Sequence, residues 1–198
     1  VAAYEYARSV PLLSGVKVFF VGHSMGAYSA LCATKFVRPD GVVAFSAPER
    51  PSLMVAHFAA KVTSGWFSRV MRPFVKAVTF FRFGRDADLS ASRCIKKSGV
   101  PALVFQGDRD ADVPFELSAC ARVNDGNVRA EVCSGKAHNV YNTFVAEGLL
   151  KRLKDGISRM DEMNDGERAD FFSSQDYGAI CEEDEAVMGE VLRFIKDC

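Results

Sequence analysis

The chain has 198 residues, and its 25 Lys and Arg balance its 25 Asp and Glu, so the formal net charge is zero. This balance lacks the basic surplus that attracts nucleic acids or anionic membranes, so we expect neither as a partner. The hydrophobic fraction of 48% is ordinary for a globular protein, and no apolar run reaches the roughly 18 to 20 residues that span a bilayer. We therefore expect a single domain over residues 1–198 with no membrane span.

The predicted elements alternate between helices and strands along the chain. They are a helix at 2–9, a strand at 16–21, a helix at 25–36, strands at 42–45 and 102–105, a helix at 115–123, a strand at 128–133, a helix at 143–160 and a last helix around 187–195. The strands are nearly continuous apolar runs, which is typical of a parallel sheet covered on both faces. The pattern predicts an α/β fold with a mostly parallel sheet and helices on both faces.

Two longer segments interrupt this alternation. Residues 52–98 are predicted to form a helical, cap-like insertion, and residues 151–185 a charged insertion before the terminal helix. Aromatic residues are frequent in the first segment: Phe58, Trp66, Phe67, Phe74, Phe80, Phe81 and Phe83. We interpret them as the cores of helices, with an acyl-chain pocket as the alternative. The charged segment is interpreted as solvated helix and loop, with a lid or partner surface as the alternative.

The six cysteines are scattered, with no C-x-x-C pair and no histidine cluster near them. They are Cys32, Cys94, Cys120, Cys133, Cys181 and Cys198. This pattern favours buried free thiols over disulfides or a zinc site. Since free thiols persist in a reducing compartment, we expect a cytoplasmic protein.

The stretch Gly22-His23-Ser24-Met25-Gly26 fits the pattern G-x-S-x-G between a predicted strand and a predicted helix. A serine on such a sharp turn has a strained backbone, and side chains at Gly22 and Gly26 are expected to clash with the neighbouring chain. The turn places the serine hydroxyl above the carboxyl ends of the strands. It also places the Met25 N–H at a helix N-terminus, where it could stabilise an oxyanion. The alternative is a serine that only completes a tight turn.

A nucleophilic serine needs a general base that is oriented by a carboxylate. Of the three histidines, His138 follows a predicted strand in a short loop and is the favoured base, whereas His23 and His57 are interpreted as packed or partly exposed. Candidates for the acid are Asp108, Asp110, Asp112 and Glu49. Asp108 could form a turn and Asp112 could cap the next helix, whereas Asp110 lies in mid-loop and is the most available.

The order Ser24, Asp110, His138 resembles that of the α/β-hydrolase superfamily. "VGHSMG" is similar to its nucleophile elbow, "PALVFQGDRDADVP" to its acid-bearing strand end, and "SGKAHN" to its histidine loop. The finer resemblance is to its esterase and acylaminoacyl-peptidase-like branch. By this resemblance Asp110 is the acid, His138 the base and Ser24 the nucleophile of a serine hydrolase that acts on a small-molecule acyl substrate. Such an enzyme cleaves an ester, thioester or amide through an acyl-enzyme and needs no metal or other cofactor.

The chain also departs from that family at its N-terminal end. The family fold has further strands before the nucleophile strand, and a loop among them supplies the second oxyanion N–H. Only a short segment precedes residue 16 here, so we expect an N-terminally incomplete domain with impaired activity. Losing one oxyanion donor costs roughly 100- to 1,000-fold in rate. The alternative functions are a non-catalytic binding protein of the same fold and an inactive truncated fragment.

Overall fold

The structure, a computed structural model, describes residues 1–62, 65–123 and 126–198, with the backbone alone at residues 62, 65–69, 72 and 83. Its strands are β1 (Phe19–His23), β2 (Gly41–Phe45), β3 (Ala102–Gly107) and β4 (Val128–Cys133). Its helices are α1 (Ala2–Ser9), α2 (Met25–Ala33), α3 (Pro51–Val62), α4 (Gly65–Phe83), α5 (Ala91–Ser98), α6 (Phe144–Ile157), α7 (Asp165–Ser173), α8 (Tyr177–Ile180) and α9 (Glu185–Asp197). Helices thus separate most of the strands, as the sequence predicts.

The four strands pair in the order β1-β2-β3-β4, and every pair is parallel. Residues of β2 and β3 are buried along their whole length, because both faces of the sheet are covered. Val42 and Ala44 pack in a cluster with residues of α2 and α5. Val43 faces the opposite side, in a cluster that includes Val187 and Val191 of α9. The predicted α/β class, with helices on both faces of a parallel sheet, is confirmed.

Strand β1 differs from its prediction. It begins at Phe19 rather than at residue 16, and among the described residues only β2 pairs with it. The side chain of Val21 is 59% exposed. The expectation that this strand is covered on both faces is therefore wrong, since the side chain of Val21 is exposed on one face. β1 is also an edge strand of the described sheet.

The predicted helix at 115–123 is also wrong. Two short 3-10 turns, Phe115–Leu117 and Cys120–Arg122, take its place. The Ala119 N–H, which an α-helix would direct at Phe115, instead donates to the carbonyl of Ala47 at 2.8 Å. A contact with a distant segment therefore overrides the local helical pattern.

The segment predicted as a cap contains α3, α4 and α5. Helices α3 and α4 pack against each other, whereas α5 packs against α2 within the main hydrophobic cluster. Phe74, Phe80 and Phe81 are all about half exposed or more, so interpreting them as helix core is wrong. Trp66, Phe67 and Phe83 were included in the same interpretation, but their side chains lie outside the described part of the structure. A cap role for α3 and α4 stays a prediction.

The charged segment 151–185 is helical for most of its length. It contains the second half of α6, a 3-10 turn at Met160–Glu162, α7 and α8. Asn164 begins α7 with a capping box, in which its side chain accepts from the Glu167 N–H and the Glu167 carboxylate accepts in return. Most side chains of this segment are exposed or partly exposed, which fits its interpretation as solvated helix and loop. A lid role stays a prediction.

All six cysteines are free thiols. Cys32, Cys94 and Cys120 are buried as expected, whereas Cys181 is exposed, so the prediction of buried thiols is wrong for that residue.

Among the residues that the structure describes, none of the helices combines the length and the apolar character that crossing a bilayer requires.

The turn from β1 into α2 depends on one of its two glycines. A Cβ atom on Gly22 would lie 2.5 Å from the backbone carbon and oxygen of Gly26. A Cβ atom on Gly26 would meet nothing within 4 Å. The expectation that both positions exclude side chains is therefore right for Gly22 and wrong for Gly26.

These two glycines give a matched pair of variants. Gly22→Ala should lower the free energy of unfolding by about 1–3 kcal/mol, because its Cβ overlaps the backbone of α2. Gly26→Ala should leave it unchanged or raise it by up to about 1 kcal/mol, since alanine is the better helix former. Urea unfolding of the two variants and the wild type measures both effects, and equal destabilisation by the two would contradict this account of the turn.

Candidate active site

Ser24 lies at the carboxyl end of β1, directly before the first residue of α2. Its backbone has φ 54° and ψ −120°, a positive φ that is uncommon for a residue with a side chain. Its N–H donates to the Phe45 carbonyl at 2.8 Å, which continues the pairing of β1 with β2. This is the strained conformation that the sequence predicts for the turn.

Met25 is the first residue of α2. The first N–H groups of an α-helix have no partner within the helix, and the helix dipole makes this end partially positive. As the first residue of the helix, Met25 has an N–H without a partner within the helix. It could donate to a negatively charged oxygen next to Ser24.

Asp110 follows β3, and its carboxylate is buried by the residues around it. Its Oδ2 accepts from His138 Nδ1 at 2.8 Å and from Gln106 Nε2 at 2.9 Å, and its Oδ1 accepts from the N–H groups of Asp112 and Val113. Burial alone would raise the pKa of this carboxyl. The hydrogen bonds from His138, Val113 and Gln106 outweigh burial and hold its pKa below the usual value.

His138 lies in the loop after β4, which passes directly over the end of β3. A Cβ atom on Gly107 would lie 2.3 Å from the carbonyl oxygens of Lys136 and Ala137, so only glycine permits this approach. The Arg109 N–H donates to the Lys136 carbonyl at 3.0 Å. Main-chain contacts thus fix the histidine loop against the acid loop.

The backbone carbonyl of His138 is held by two further side chains. His23 Nε2 lies 3.1 Å from this oxygen and donates to it, and Ser46 Oγ donates to it at 2.7 Å. The His23 ring also packs against the rings of His138 and Tyr141. Partial burial lowers the pKa of His23, which favours the neutral ring. His23 packs as predicted, and it also positions the loop that carries His138.

The loop is anchored on its other side by a buried cation. Lys136 is almost fully buried, and its Nζ pairs with Asp184 Oδ2 at 2.8 Å and donates to the Asn142 carbonyl. Its ammonium also lies over the ring of Phe144, 4.2 Å from the centroid. Hydrogen bonding from Lys136 lowers the pKa of Asp184, whose Oδ1 caps the N-terminus of α9. The histidine loop is thereby joined to the terminal helix.

The other candidate acids have different partners. Glu49 is buried and accepts from Ser90 and from Ser92, at the N-terminus of α5. The Asp108 carboxylate accepts from Gly135 and Ser134 and so holds the start of the histidine loop. The structure therefore places Asp110, among these candidates, in contact with His138.

Of the remaining candidates, Asp112 differs from its predicted role, whereas His57 is partly exposed, as the sequence predicts. Asp112 is exposed near His138, and the short turn that follows begins with Pro114 and has no side-chain cap, so its expected capping role is wrong. His57 is half-buried on α3, and its Nε2 lies 3.3 Å from the Ala111 carbonyl. Lys61 Nζ donates to the same carbonyl at 2.8 Å, so α3 contacts the acid loop.

Sequence reasoning missed several of these supporting side chains. Gln106 has a visible signal, because it is a polar residue at the end of an otherwise apolar strand, where it must find buried partners. Ser46 and Lys136 carry no such signal, since short polar residues and lysines are common in surface loops. Their burial follows from contacts with segments far away in the chain.

Ser24 and His138 line one cavity of about 230 Å³, whose walls are otherwise mainly apolar. Met25, Pro48, Met54, Phe58 and Val113 form these walls, with Asp112 at one side. Asp110, Asp112 and His138 carry ligand atoms within 4.8 Å of one another, a spacing that a metal ion could bridge. Because the Asp110 oxygens already accept four hydrogen bonds, the group is better suited to hold and move a proton than to bind a metal.

The lowered pKa of Asp110 predicts a pH-dependent contribution to stability. The contribution is complete above the unfolded-state pKa of about 3.9 and is lost as the pH falls through the lower folded-state value. Asp110→Asn should therefore reduce the free energy of unfolding at pH 7 by about 1–3 kcal/mol. Between pH 5 and pH 3, the free energy of unfolding of this variant should fall less than that of the wild type. Urea unfolding across this range tests this, with Asp112→Asn as the exposed control. A wild-type pH slope in Asp110→Asn would refute it.

No protein-family model matches the sequence, and no curated protein matches it. Among solved structures, an esterase of Pyrococcus furiosus superposes with a TM-score of 0.50 at 21% identity, over 80% of this chain and 59% of that one. Est1E of Butyrivibrio proteoclasticus (TM-score 0.46, 17% identity) is matched over 82% of this chain and 68% of its own. An α/β serine hydrolase homologue of Coxiella burnetii (TM-score 0.39, 20% identity) is matched over 69% and 47%. This chain thus spans about half to two thirds of these proteins. The parallel sheet, its helical layers and the superposition on the Pyrococcus esterase together show that this chain has the α/β-hydrolase fold.

Proposed function

We propose that this chain is a serine hydrolase that cleaves an ester, thioester or amide bond of a small-molecule acyl substrate through an acyl-enzyme. The observation that carries the proposal is the hydrogen bond of 2.8 Å between His138 Nδ1 and the buried Asp110 carboxylate. It lies beside a cavity that His138 shares with the strained Ser24. A binding protein has no need for a buried acid, an oriented imidazole and a strained serine at one place.

The orientation of His138 defines its chemical role. Because the Asp110 carboxylate accepts a hydrogen bond from Nδ1, the proton of the neutral ring lies on Nδ1 and the lone pair lies on Nε2. Nε2 is then free to take the proton of the Ser24 hydroxyl as its Oγ attacks the substrate carbonyl carbon. The negative charge of Asp110 stabilises the imidazolium that forms.

The carbonyl oxygen becomes negatively charged in this step. The Met25 N–H at the N-terminus of α2 donates a hydrogen bond to it, and the helix dipole adds a favourable field. When the intermediate collapses, the bond to the leaving group breaks and His138 returns its proton to that group. A water molecule, deprotonated in turn by His138, then hydrolyses the acyl-Ser24 ester and restores the serine hydroxyl.

The apolar walls of the cavity suit the acyl part of a substrate. Met54 and Phe58 come from α3, so this helix contributes to substrate binding in the proposed function. The six free cysteines support a reducing compartment, the cytoplasm, as its location. No organic cofactor or metal has a part in the proposed steps.

Active-site labelling tests the assignment of Ser24. A fluorophosphonate probe should label the wild type and Ser29→Ala, an exposed serine of α2, but not Ser24→Ala. Hydrolysis of an activated ester should fall about 10⁴-fold or more in Ser24→Ala and in His138→Ala, with Ser29→Ala again as the control. Persistent labelling of Ser24→Ala would falsify the assignment. Ligand binding that is indifferent to alanine at Ser24, Asp110 and His138 would instead favour a binding protein.

The two side chains on the His138 carbonyl predict a second effect. His23→Phe keeps a ring against His138 and removes the N–H donor, whereas Ser46→Ala removes the hydroxyl donor. Each variant should lower kcat of ester hydrolysis about ten- to a hundredfold with little change in KM, because a displaced imidazole affects the chemical step. Circular dichroism and the Tm of each variant report whether the fold is retained. A loss seen in KM alone would show that these residues act on substrate binding instead.

A further inference from the structure

A groove lined by basic residues lies on the α5 side of the sheet, and the proposed reaction does not use it. Arg50, Arg93, Lys96, Lys97 and Arg122 line this cavity of about 730 Å³, which we call the basic groove. Its residues come from three separate places: the start of α3, helix α5 and the second 3-10 turn before β4. A neighbouring cavity shares Arg50, Arg93 and Lys97 and adds Asp88 and Lys35, of which Lys35 pairs with Asp86. Although the whole chain carries no net charge, positive charge is concentrated here.

The acidic residues nearby neutralise the groove only in part. Glu49 lines the groove with a buried carboxylate, which accepts from Ser90 and Ser92 and offsets one of the five positive charges. Asp88 accepts from Ser52 and lies 3.6 Å from Arg50, the one groove residue with which it pairs in the described part of the chain. Within the same residues, no ion pair is found for Arg93 or Lys97. The groove therefore keeps an excess of positive charge.

Two of its arginines are held in place by backbone carbonyls, and Arg50 also by its ion pair with the Asp88 carboxylate. Arg50 Nη1 donates to the Asp88 carbonyl at 2.6 Å, and Arg122 Nη1 donates to the carbonyls of Glu116 and Ser118. A carbonyl orients a guanidinium without cancelling its charge, and each guanidinium has further N–H groups to offer. These side chains are thus oriented before any ligand arrives, which lowers the entropic cost of binding.

Two cations of α5, Arg93 and Lys97, lie four residues apart on one helix face and repel each other, although the Glu49 carboxylate lies at the N-terminus of this helix. Arg93 lies in the first turn of this helix, where the helix dipole disfavours a cation, and its side chain shares a helix face with Lys96 and Lys97. The helix dipole favours the cations Lys96 and Lys97 in the last turn. It does not favour a cation at Arg93. A bound anion with several charges would relieve the repulsion between Arg93 and Lys97.

We propose that the basic groove binds the oligophosphate group of a small molecule. Guanidinium groups match phosphate oxygens in bidentate hydrogen bonds, and lysines supply compact positive charge. A linear di- or triphosphate presents several charges within a few ångströms, as a set of converging cations requires. Inorganic oligophosphate and the phosphate chain of a nucleotide share this chemistry. The groove borders the first turn of α3, where Leu53 lines the groove and Met54 lines the cavity of Ser24.

Calorimetric titration of the whole chain with inorganic tripolyphosphate at low ionic strength tests the proposal. Binding should saturate at one site and weaken as salt is added. Arg93→Gln/Lys97→Gln should raise Kd at least about tenfold, as expected when charged hydrogen-bond donors are lost. The matched control is Arg193→Gln/Lys196→Gln, which removes two cations from α9 on the opposite side of the sheet and should change Kd less than about twofold.

A second arm separates the two sources of oligophosphate. A nucleoside triphosphate that binds no tighter than tripolyphosphate assigns the groove to the free anion, whereas tighter binding that is equally sensitive to Arg93→Gln/Lys97→Gln assigns it to a nucleotide. The absence of saturable binding of either ligand, or equal weakening by the α5 and α9 variants, overturns the proposal. Binding of a single-stranded oligonucleotide without binding of tripolyphosphate also overturns it. Ser24→Ala should bind tripolyphosphate as the wild type does, so this test is independent of the proposed hydrolase activity.

Discussion

The Asp110 carboxylate is a buried negative charge, and a buried charge is tolerated only where hydrogen bonds replace its water. Its four donors come from the end of β3, from the loop that follows, and from the His138 ring beyond β4. The hydrogen bonds to this carboxylate therefore fix the loop after β3 relative to the loop after β4. The same bonds that make the burial tolerable orient the imidazole, so the stability of this region and the geometry of the candidate active site have one origin.

The two ends of the histidine loop are fixed in different ways. At its start, Asp108 and the close approach over Gly107 tie the loop to the end of β3. Beneath the ring, the His138 carbonyl is held by donors from the ends of β1 and β2, His23 and Ser46. Residues from the carboxyl ends of β1, β2 and β3 thus converge on the loop that follows β4, as the edge of a parallel sheet allows.

Much of this arrangement could be predicted from the sequence. The β4 strand and the α1 helix have the predicted boundaries, because the β4 pattern is bounded by turn residues and α1 ends before Pro11. The helix expected at 115–123 failed because the Ala47 carbonyl, distant in sequence, takes the Ala119 N–H. Glu49 and Asp110 both follow strands, and only the tertiary contacts with Ser90 and His138 separate their roles. The basic groove could not be predicted from the sequence for a related reason, because its charges come from separated segments of a chain whose total charge is zero.

The glycine at position 107 is required because main chain, rather than a side chain, approaches it, and the same holds for Gly22 beneath the turn that carries Ser24. The positions of Ser24 and His138 are therefore fixed by contacts between backbone segments. Met54 and Phe58 of α3 line the cavity and lie outside these two backbone contacts. Substitutions at these two positions can consequently change the shape and polarity of the cavity wall with less effect on Ser24 and His138. In the proposed function, variation of the substrate range would start at Met54 and Phe58, whereas His57 and Lys61 of the same helix contact the acid loop.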